Sequence, residues 1–586
     1  MKRLWLRQLF LVLLLIMSGS RLLAQEQDAK LESVFKAYLE AFFRLRPLEA
    51  TRLGEHRFDS QLENPTPQAR QQWLEFARKS LADLPRQINS NKLSRAGQID
   101  YETFQHSLVT EIWLMENFRP FEQDPRVYNG YINDSIYLLL TQSTAPKETN
   151  VANCIARMAL LPGIVATARH NLKDAFRAHT ETAIKQNRGA ISFYEHDLFD
   201  FAGQTAQRDL LRAASASVAA ALKEYQQFLE KDLLPRANAE WRIGGKKFAH
   251  KLDLELDAGI TADQVMADAQ AEFARVEGDM YLVARQLWSQ YYPGKALPPD
   301  DEQGRRATVQ TVLGSVAKEH CRPEELTREM KERVARAKKF ISENDILRLP
   351  DPDHCQVVEM PEFKRGNSTA YMEAPPPLDP NATGQLAVSP PPKEWDAQKV
   401  NSYLEEYNNR MLDILTIHEG YPGHSVQLEY MNRNPSLIRR VLQSGVYIEG
   451  WAVYTEQMML DQGYGDRDLA LRLTQLKFYL RAVANSILDH KMHCSHFSDE
   501  EALQFLMQRC FQSEGEARLK IIRSQQSSCQ LSSYFVGRMA HYRLRQQIER
   551  ELGDKFVLGR YHEAVLEPGA VSMKYLPELV RTKLEK

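Results

Sequence analysis

Histidine, glutamate and histidine at positions 418, 419 and 424 are residue types that together can hold a metal ion and move a proton. In the regular His-Glu-x-x-His helix the two histidines stand four residues apart and face one metal. In Thr416-Ile417-His418-Glu419-Gly420-Tyr421-Pro422-Gly423-His424 they stand six apart, and Pro422 has no N–H to give to a helix. At about 100° per residue the two side chains would be about 240° out of phase. A shared metal therefore requires 420–423 to loop out or form a wide turn that returns His424 to the face of His418, with Gly420 and Gly423 supplying backbone freedom. On this reading the neutral imidazoles of His418 and His424 are metal ligands, and Glu419 is the base that takes a proton from a metal-activated water. The same nine residues also read as a helix C-terminus, with Gly-Tyr-Pro-Gly as stop chemistry and two ordinary histidines. A third ligand decides between the two.

That ligand is sought in Tyr447-Ile448-Glu449-Gly450-Trp451-Ala452-Val453-Tyr454-Thr455-Glu456. Asn432, Asn434 and Pro435 supply turn chemistry between the segments, so a second helix can fold back on the first and bring Glu449 to the histidines. Glu456 lies two helical turns further along nearly the same face, where it can accept a hydrogen bond from a ligand's free ring N–H and fix its tautomer. Taken alone, the segment also reads as a surface helix with two solvated glutamates. Zinc, one per chain, is the metal that two imidazoles and a carboxylate suit.

The elements that must position these residues are mostly helical. Amphipathic periodicity predicts helices over 31–43, 68–82, 151–183 with a break at Pro162-Gly163, 205–234, 262–287, 322–341 and nearly everything from 398 onward. Between 349 and 392 prolines crowd the chain and exclude helix; 356–360 and 385–389 have the character of short strands. A small sheet there would offer an edge to an extended peptide, and a plain structural connector is the other reading. The organisation expected is a signal peptide over 1–24, an N-terminal helical region over 25–250 and a metal-site region over 251–586. The last would contain the proline-rich segment 349–392 and metal helices within 398–462.

Lys2, Arg3 and Arg7 precede an apolar run over 9–17, followed by Ser18-Gly19-Ser20 and Ala24 before Gln25-Glu26-Gln27. This is the layout of a secretory signal peptide with cleavage after Ala24, its apolar run too short to span a bilayer; an uncleaved N-terminal anchor is the alternative. The expected location is periplasmic or extracellular, with no stable membrane insertion after cleavage. No cysteine follows the apolar run, which argues against lipid attachment there. Removing 1–24 takes away four basic residues and moves the formal charge from −2 to −6. An acidic chain without long basic runs lacks the clustered cations that nucleic acid requires. The cysteines at 154, 321, 355, 494, 510 and 529 show no Cys-x-x-Cys spacing.

His-Glu-Gly-Tyr-Pro-Gly-His followed by Glu-Gly-Trp-Ala-Val-Tyr-Thr-Glu resembles the bacterial family known as domain of unknown function 885, whose motif logic is similar to that of the gluzincin metallopeptidases. Further matches run along the chain. Pro47, Ala50, Thr51, Gly54, His56 and Asp59 resemble the family's opening; 371–375 and 385–390 resemble its extended segment; Asp489 and His493 fit an Asp-x-x-x-His element. Arg523, Gln530, Tyr534 and Gly537 fit an Arg-x6-Gln-x3-Tyr-x2-Gly element. Three positions depart from the pattern: Ser425 stands where a further histidine is usual, Ser528-Cys529 where Pro-Gly is usual, and Ser524 where an aromatic residue is expected. Ser425 leaves His424 as the one candidate at that end of the motif.

The resemblance implies a gluzincin-like helical scaffold, with two lobes around a cleft and a small β segment next to the metal helix. It also implies zinc-dependent hydrolysis of peptide bonds, in short peptides. Tyr534 becomes a candidate to stabilise the oxyanion, and Arg523 to share that work or hold a substrate carboxylate. His493 becomes a candidate to hydrogen-bond substrate in the metal site; a partly buried structural histidine is its other reading. A second metal at His490, His493, Cys494 and His496 is geometrically poor, because steps of three drift around a helix by about 60°. Two rival functions stay open: a non-catalytic metal- or peptide-binding protein on the same fold, and a hydrolase of non-peptide amides or esters.

Overall fold

Helix gives way to strand in this chain between 349 and 392, where prolines crowd. The computed structural model describes residues 2–360, 370–392 and 395–585, with side chains from residue 24 onward. Its described part is mostly helix with one three-stranded sheet. The sheet sits in the proline-rich stretch, whose residues 361–369 lie outside the described ones, as do the side chains of most of the expected signal peptide. The backbone of that peptide is part of a helix over Lys2–Leu45.

The chain forms two compact units that interleave in sequence: 1–173, 194–233 and 434–442 make one, and 174–193, 234–433 and 443–586 make the other. In the first unit the residues 47–59 close around a buried arginine. Pro47 starts the helix Pro47–Leu53, and Gly54 ends it in the left-handed conformation at φ 85°. Thr51 Oγ1 then donates to Asp59 Oδ1 at 2.7 Å, and the His56 ring meets Asp59 Oδ2 at 2.8 Å. Arg157, fully buried, donates to the Gln61 and Ser135 carbonyls and to Thr51 Oγ1. Each of its three nitrogens has a partner, as a buried guanidinium requires. The family-like opening is thus a packing knot.

The stretch predicted over 151–183 with one break at Pro162-Gly163 is three helices, Lys147–Met158, Leu161–Asn171 and Arg177–Ser192, with a second break at 172–176. The first break falls at 159–160, just ahead of Pro162, because proline is tolerated in the first turn of the helix that follows.

The second unit carries the motif. Its sheet has β1 (Cys355–Glu359) parallel to β3 (Gly384–Val388), and β2 (Ala370–Glu373) antiparallel to β3 on the other side. Leu386, Ala387 and Val388 of the central strand are buried, while β2 is an edge. Helices around the sheet and motif are α1 (Leu326–Glu343), α2 (Asn409–Leu415), α3 (His424–Asn432), α4 (Gly445–Asp461), α5 (Leu469–Cys494), α6 (Glu514–Gln526) and α7 (Ser533–Leu552). Helix α4 is buried on nearly every face, so its sequence is largely apolar all round and its few polar residues point to something specific; α5 is also largely buried but carries many polar residues.

Helices α4 and α7 cross at glycine. A Cβ on Gly450 would stand 2.3 Å from the Gly537 carbonyl carbon, and one on Gly537 only 2.0 Å from the Val446 oxygen. No side chain fits there. The crossing is set by backbone touching backbone, which places Glu449 and Tyr534 within a helical turn of the contact.

Candidate metal centre

Helix α2 runs into a wider five-residue turn over Thr416–Gly420 and then breaks; α3 begins at His424 itself. The break closes on its own backbone: Tyr421 N–H donates to the Thr416 carbonyl and Gly423 N–H to that of Ile417, both at 3.0 Å. A Cβ at Gly423 would stand 2.0 Å from the His418 oxygen, so this glycine is needed for space. Gly420 meets nothing closer than 3.5 Å and has no positive φ, so the expected need for two flexible glycines reduces to one. Trp451 of α4 donates its indole N–H to the Pro422 carbonyl at 2.9 Å, tying the break to the second motif.

The result brings His418 and His424 together with their rings edge-on and centroids 4.9 Å apart. Glu449 Oε2 lies 3.5 Å from His424 Nε2 and 4.0 Å from His418 Nε2, and one donor atom from each of the three residues falls within 4.8 Å of the others. Tetrahedral zinc with bonds of about 2.05 Å spaces its ligand atoms about 3.4 Å apart. The three donors thus fit zinc with a small inward adjustment. Glu449 Oε2 is buried, and the contacts that face it are the two imidazole Nε2 atoms. Among the described residues this is the one convergent set of three.

The surroundings fix the donors. His418 Nδ1 pairs with Glu456 Oε1 at 2.7 Å, which leaves Nε2 to face Glu449. Phe478 packs edge-on against the same imidazole. His424 Nδ1 meets Gln427 Oε1 at 3.5 Å, a looser contact. Glu419 Oε2 accepts the backbone N–H of Met372 at 2.9 Å, so the edge strand β2 holds the candidate base.

The electrostatics follow from burial. Burial, with His424 adding, depresses His418 to about 3 and keeps it neutral. Burial also pulls His424 down, but the Glu449 carboxylate outweighs it and the ring rises to about 9. Glu449 is raised by burial yet ends below the usual carboxylate range, because His424, His418 and Tyr534 favour its charge. Glu419 is pushed up to about 7 by burial, against His424 and the Met372 N–H. Burial pushes Glu456 well above the usual carboxylate range, against Arg538 and Gln475.

Tyr534 adjoins the cluster: its hydroxyl is raised to about 12 by burial and by the Glu449 charge. Arg523 donates to that hydroxyl at 3.1 Å and to Gln530 Oε1 at 3.0 Å. His493 does not join the cluster, and its expected contact with substrate is corrected. Its Nε2–H is taken by the Ser524 and Ser527 carbonyls at 3.0 and 2.8 Å, and the ring packs against Trp241 and Phe248. Burial depresses it to about 4. One turn earlier, Asp489 accepts the Cys529 N–H at 3.1 Å and the Ser532 hydroxyl at 3.2 Å. Asp489 and His493 therefore anchor 524–532, the segment that leads into Tyr534. Within it Cys529 holds φ at 71°, the left-handed region that favours glycine. Ser425 is fully buried beside Cys355 and Tyr421.

Sequence reasoning missed the Met372 N–H, the Gly450 contact, Trp451 and Phe478. Gly450 carried a signal, since glycine inside a helix needs a packing reason. The strand partner of Glu419 carried none.

The profile of a family of bacterial proteins of unknown function, DUF885, matches residues 47–580. A solved structure described as a "putative lipoprotein of unknown function" from Shewanella oneidensis is 29% identical, with TM-score 0.78, over 94% of this chain and 99% of its own. A second "putative lipoprotein", from Colwellia psychrerythraea, has TM-score 0.77 at 19% identity over 95% and 99%, a likeness of fold alone. No curated protein matches.

Proposed function

The chain belongs to this DUF885 family, and on that premise we propose that it is an exported, zinc-dependent hydrolase that cleaves peptide bonds, in short peptides, by gluzincin-like chemistry. One observation carries the reading: one donor atom from each of His418, His424 and Glu449 lies within 4.8 Å of the others, with Glu419 alongside.

His418 and His424 would offer Nε2 to the metal and Glu449 its Oε2. Zinc, when bound there, supplies Lewis acidity and makes a water in the pocket acidic near neutrality. Glu419, oriented by the Met372 N–H, takes the proton from the attacking water and returns it to the leaving amine nitrogen. Tyr534 donates its hydroxyl to the oxygen on which negative charge develops. Glu456 keeps His418 in one tautomer. The Met372 N–H turns away from β3 onto Glu419, and among the described residues no further strand pairs with that edge of β2, along which an extended peptide would lie beside Glu419.

Export rests on the signal-peptide layout and agrees with the description of the two solved relatives as lipoproteins. The first cysteine of this chain is Cys154, so lipid attachment at the apolar run is not part of the proposal.

The test is turnover of a broad peptide library by zinc-loaded protein and by Glu419→Gln. The reading expects hydrolysis that the variant loses while retaining one zinc per chain. Zinc retention with no hydrolysis by the native chain would favour a binding protein, and cleavage confined to ester or non-peptide amide probes would move the substrate class.

A further inference from the structure

Two basic side chains of α6, Lys520 and Arg523, pair with no carboxylate among the described residues. Lys520 is 7% exposed, and among the described residues it makes no hydrogen bond or ion pair. Arg523 follows it by three residues on α6, on the same helical face. Its guanidinium reaches two neutral oxygens, those of Gln530 and Tyr534, and among the described residues no carboxylate.

The charges that bear on Lys520 are Arg481, Arg523 and Glu516. Glu516 is already committed: one carboxylate oxygen accepts the Tyr407 hydroxyl at 3.0 Å and the other accepts Arg481 at 3.2 Å. Arg481 in turn lies 3.7 Å from Glu406, itself held by Lys477. This network closes without Lys520. An ammonium enclosed next to two guanidiniums is costly, and burial with those charges drives the amine well below the usual lysine range. A methionine or leucine would fill the same space without that cost.

We propose that Lys520 and Arg523 form a carboxylate subsite beside Tyr534, which selects peptide substrates by a chain-terminal or side-chain carboxylate. The inference rests on the hydrolase reading for its substrate, while the binding step can be measured without turnover. The Arg523 contact to Tyr534 and the Tyr534 contact to Glu449 connect the subsite to the candidate metal centre. An incoming carboxylate would pair with Arg523 and favour the charged form of Lys520. Charge-assisted hydrogen bonds of about 1.5–3 kcal/mol correspond to a preference of about 10- to 150-fold.

The probes are tetra-alanine, its C-terminal amide, and that amide with glutamate in the last position. Values of kcat/KM are compared for the native protein, Lys520→Met and Arg523→Gln, and binding of the same peptides is measured by calorimetry on zinc-loaded Glu419→Gln with and without each change. The expected result is that the acid is preferred over the amide by at least about tenfold and that each substitution drives the ratio toward one. The glutamate amide matching the acid would identify a side-chain carboxylate as acceptable; its matching the plain amide would restrict the subsite to the chain terminus. Arg523 is exposed, so Arg523→Gln keeps the test decisive should Lys520→Met fold poorly. Equal handling of acid and amide by the native protein, or a ratio that neither substitution changes, would overturn the subsite while leaving the hydrolase reading intact. Binding preference without any turnover would support the subsite and count against the hydrolase.

Discussion

Replacing Gly537 by alanine puts a Cβ 2.0 Å from the Val446 carbonyl oxygen, at a crossing where no flexible side chain can yield. To reach even 3.0 Å the backbones of α4 and α7 must part by about 1 Å, which also loosens the packing on either side. Overpacking typically costs about 1–3 kcal/mol, and a clash of backbone against backbone belongs at or above the top of that range. The second unit comprises roughly 360 residues. At about 2.1 cal/mol/K per residue, a loss of about 3 kcal/mol lowers its melting temperature by about 4 °C. Because Tyr534 is one turn from Gly537 and Glu449 adjoins Gly450, a shift of about 1 Å at the crossing should also cost about 100-fold in turnover. Differential scanning fluorimetry and peptide turnover read the two effects. Gly445→Ala, in the same α4 but with nothing within 4 Å of the new Cβ, serves as the control and should melt at or slightly above the native temperature. A Gly537→Ala protein that melts within a degree of native and retains its turnover would refute the argument that backbone contact sets this geometry.

Glu456→Gln should weaken zinc binding about 10- to 100-fold in chelator competition, since it removes the carboxylate that fixes His418. Trp451→Phe strips the Pro422 carbonyl of its buried donor and should destabilise by about 1–3 kcal/mol in urea denaturation; no change would mean that the indole does not hold the break. Burial raises Asp489 from its ordinary 3.8 to about 7, against the Cys529 N–H, Lys251 and the Ser532 hydroxyl, with Glu255 adding to the rise. Its folded form therefore binds the proton more tightly than the unfolded chain, so its contribution is fully present below about pH 4 and is lost as pH rises through about 7, with a ceiling of about 4 kcal/mol. Asp489→Asn should abolish that part of the pH dependence and exceed native stability at pH 8; parallel stability curves for the two proteins would contradict the assignment.

Much of the candidate site was legible because its chemistry is local. The wrong spacing of His418 and His424 demanded an interrupted helix, and the chain supplies a wide turn, a break and a fresh start at His424. Turn residues after α3 and the Glu449 to Glu456 spacing placed both carboxylates on one side of α4, as found. Strands predicted at 356–360 and 385–389 lie one residue from β1 and β3. What escaped depends on distant partners. Strand β2 sits among prolines and is defined by pairing with β3, and its Met372 N–H acquires meaning only when Glu419 arrives opposite. Likewise, a lysine on a helix ordinarily reads as solvated, and only the packing around α6 shows Lys520 to be enclosed. His493 shows the opposite error, since a histidine near a metal motif invites chemistry while its neighbours are backbone carbonyls. The return of 434–442 to the first unit follows from contacts such as Arg439 with Asp100, more than three hundred residues away.

The central claim is that His418, His424 and Glu449 hold one zinc. Zinc-edge anomalous diffraction from crystals of the protein given one equivalent of zinc tests it most directly. The account predicts a single strong peak about 2.0–2.2 Å from both Nε2 atoms and from a Glu449 oxygen, with Glu456 still on His418 Nδ1. Zinc located elsewhere, with these three side chains unliganded, would contradict it.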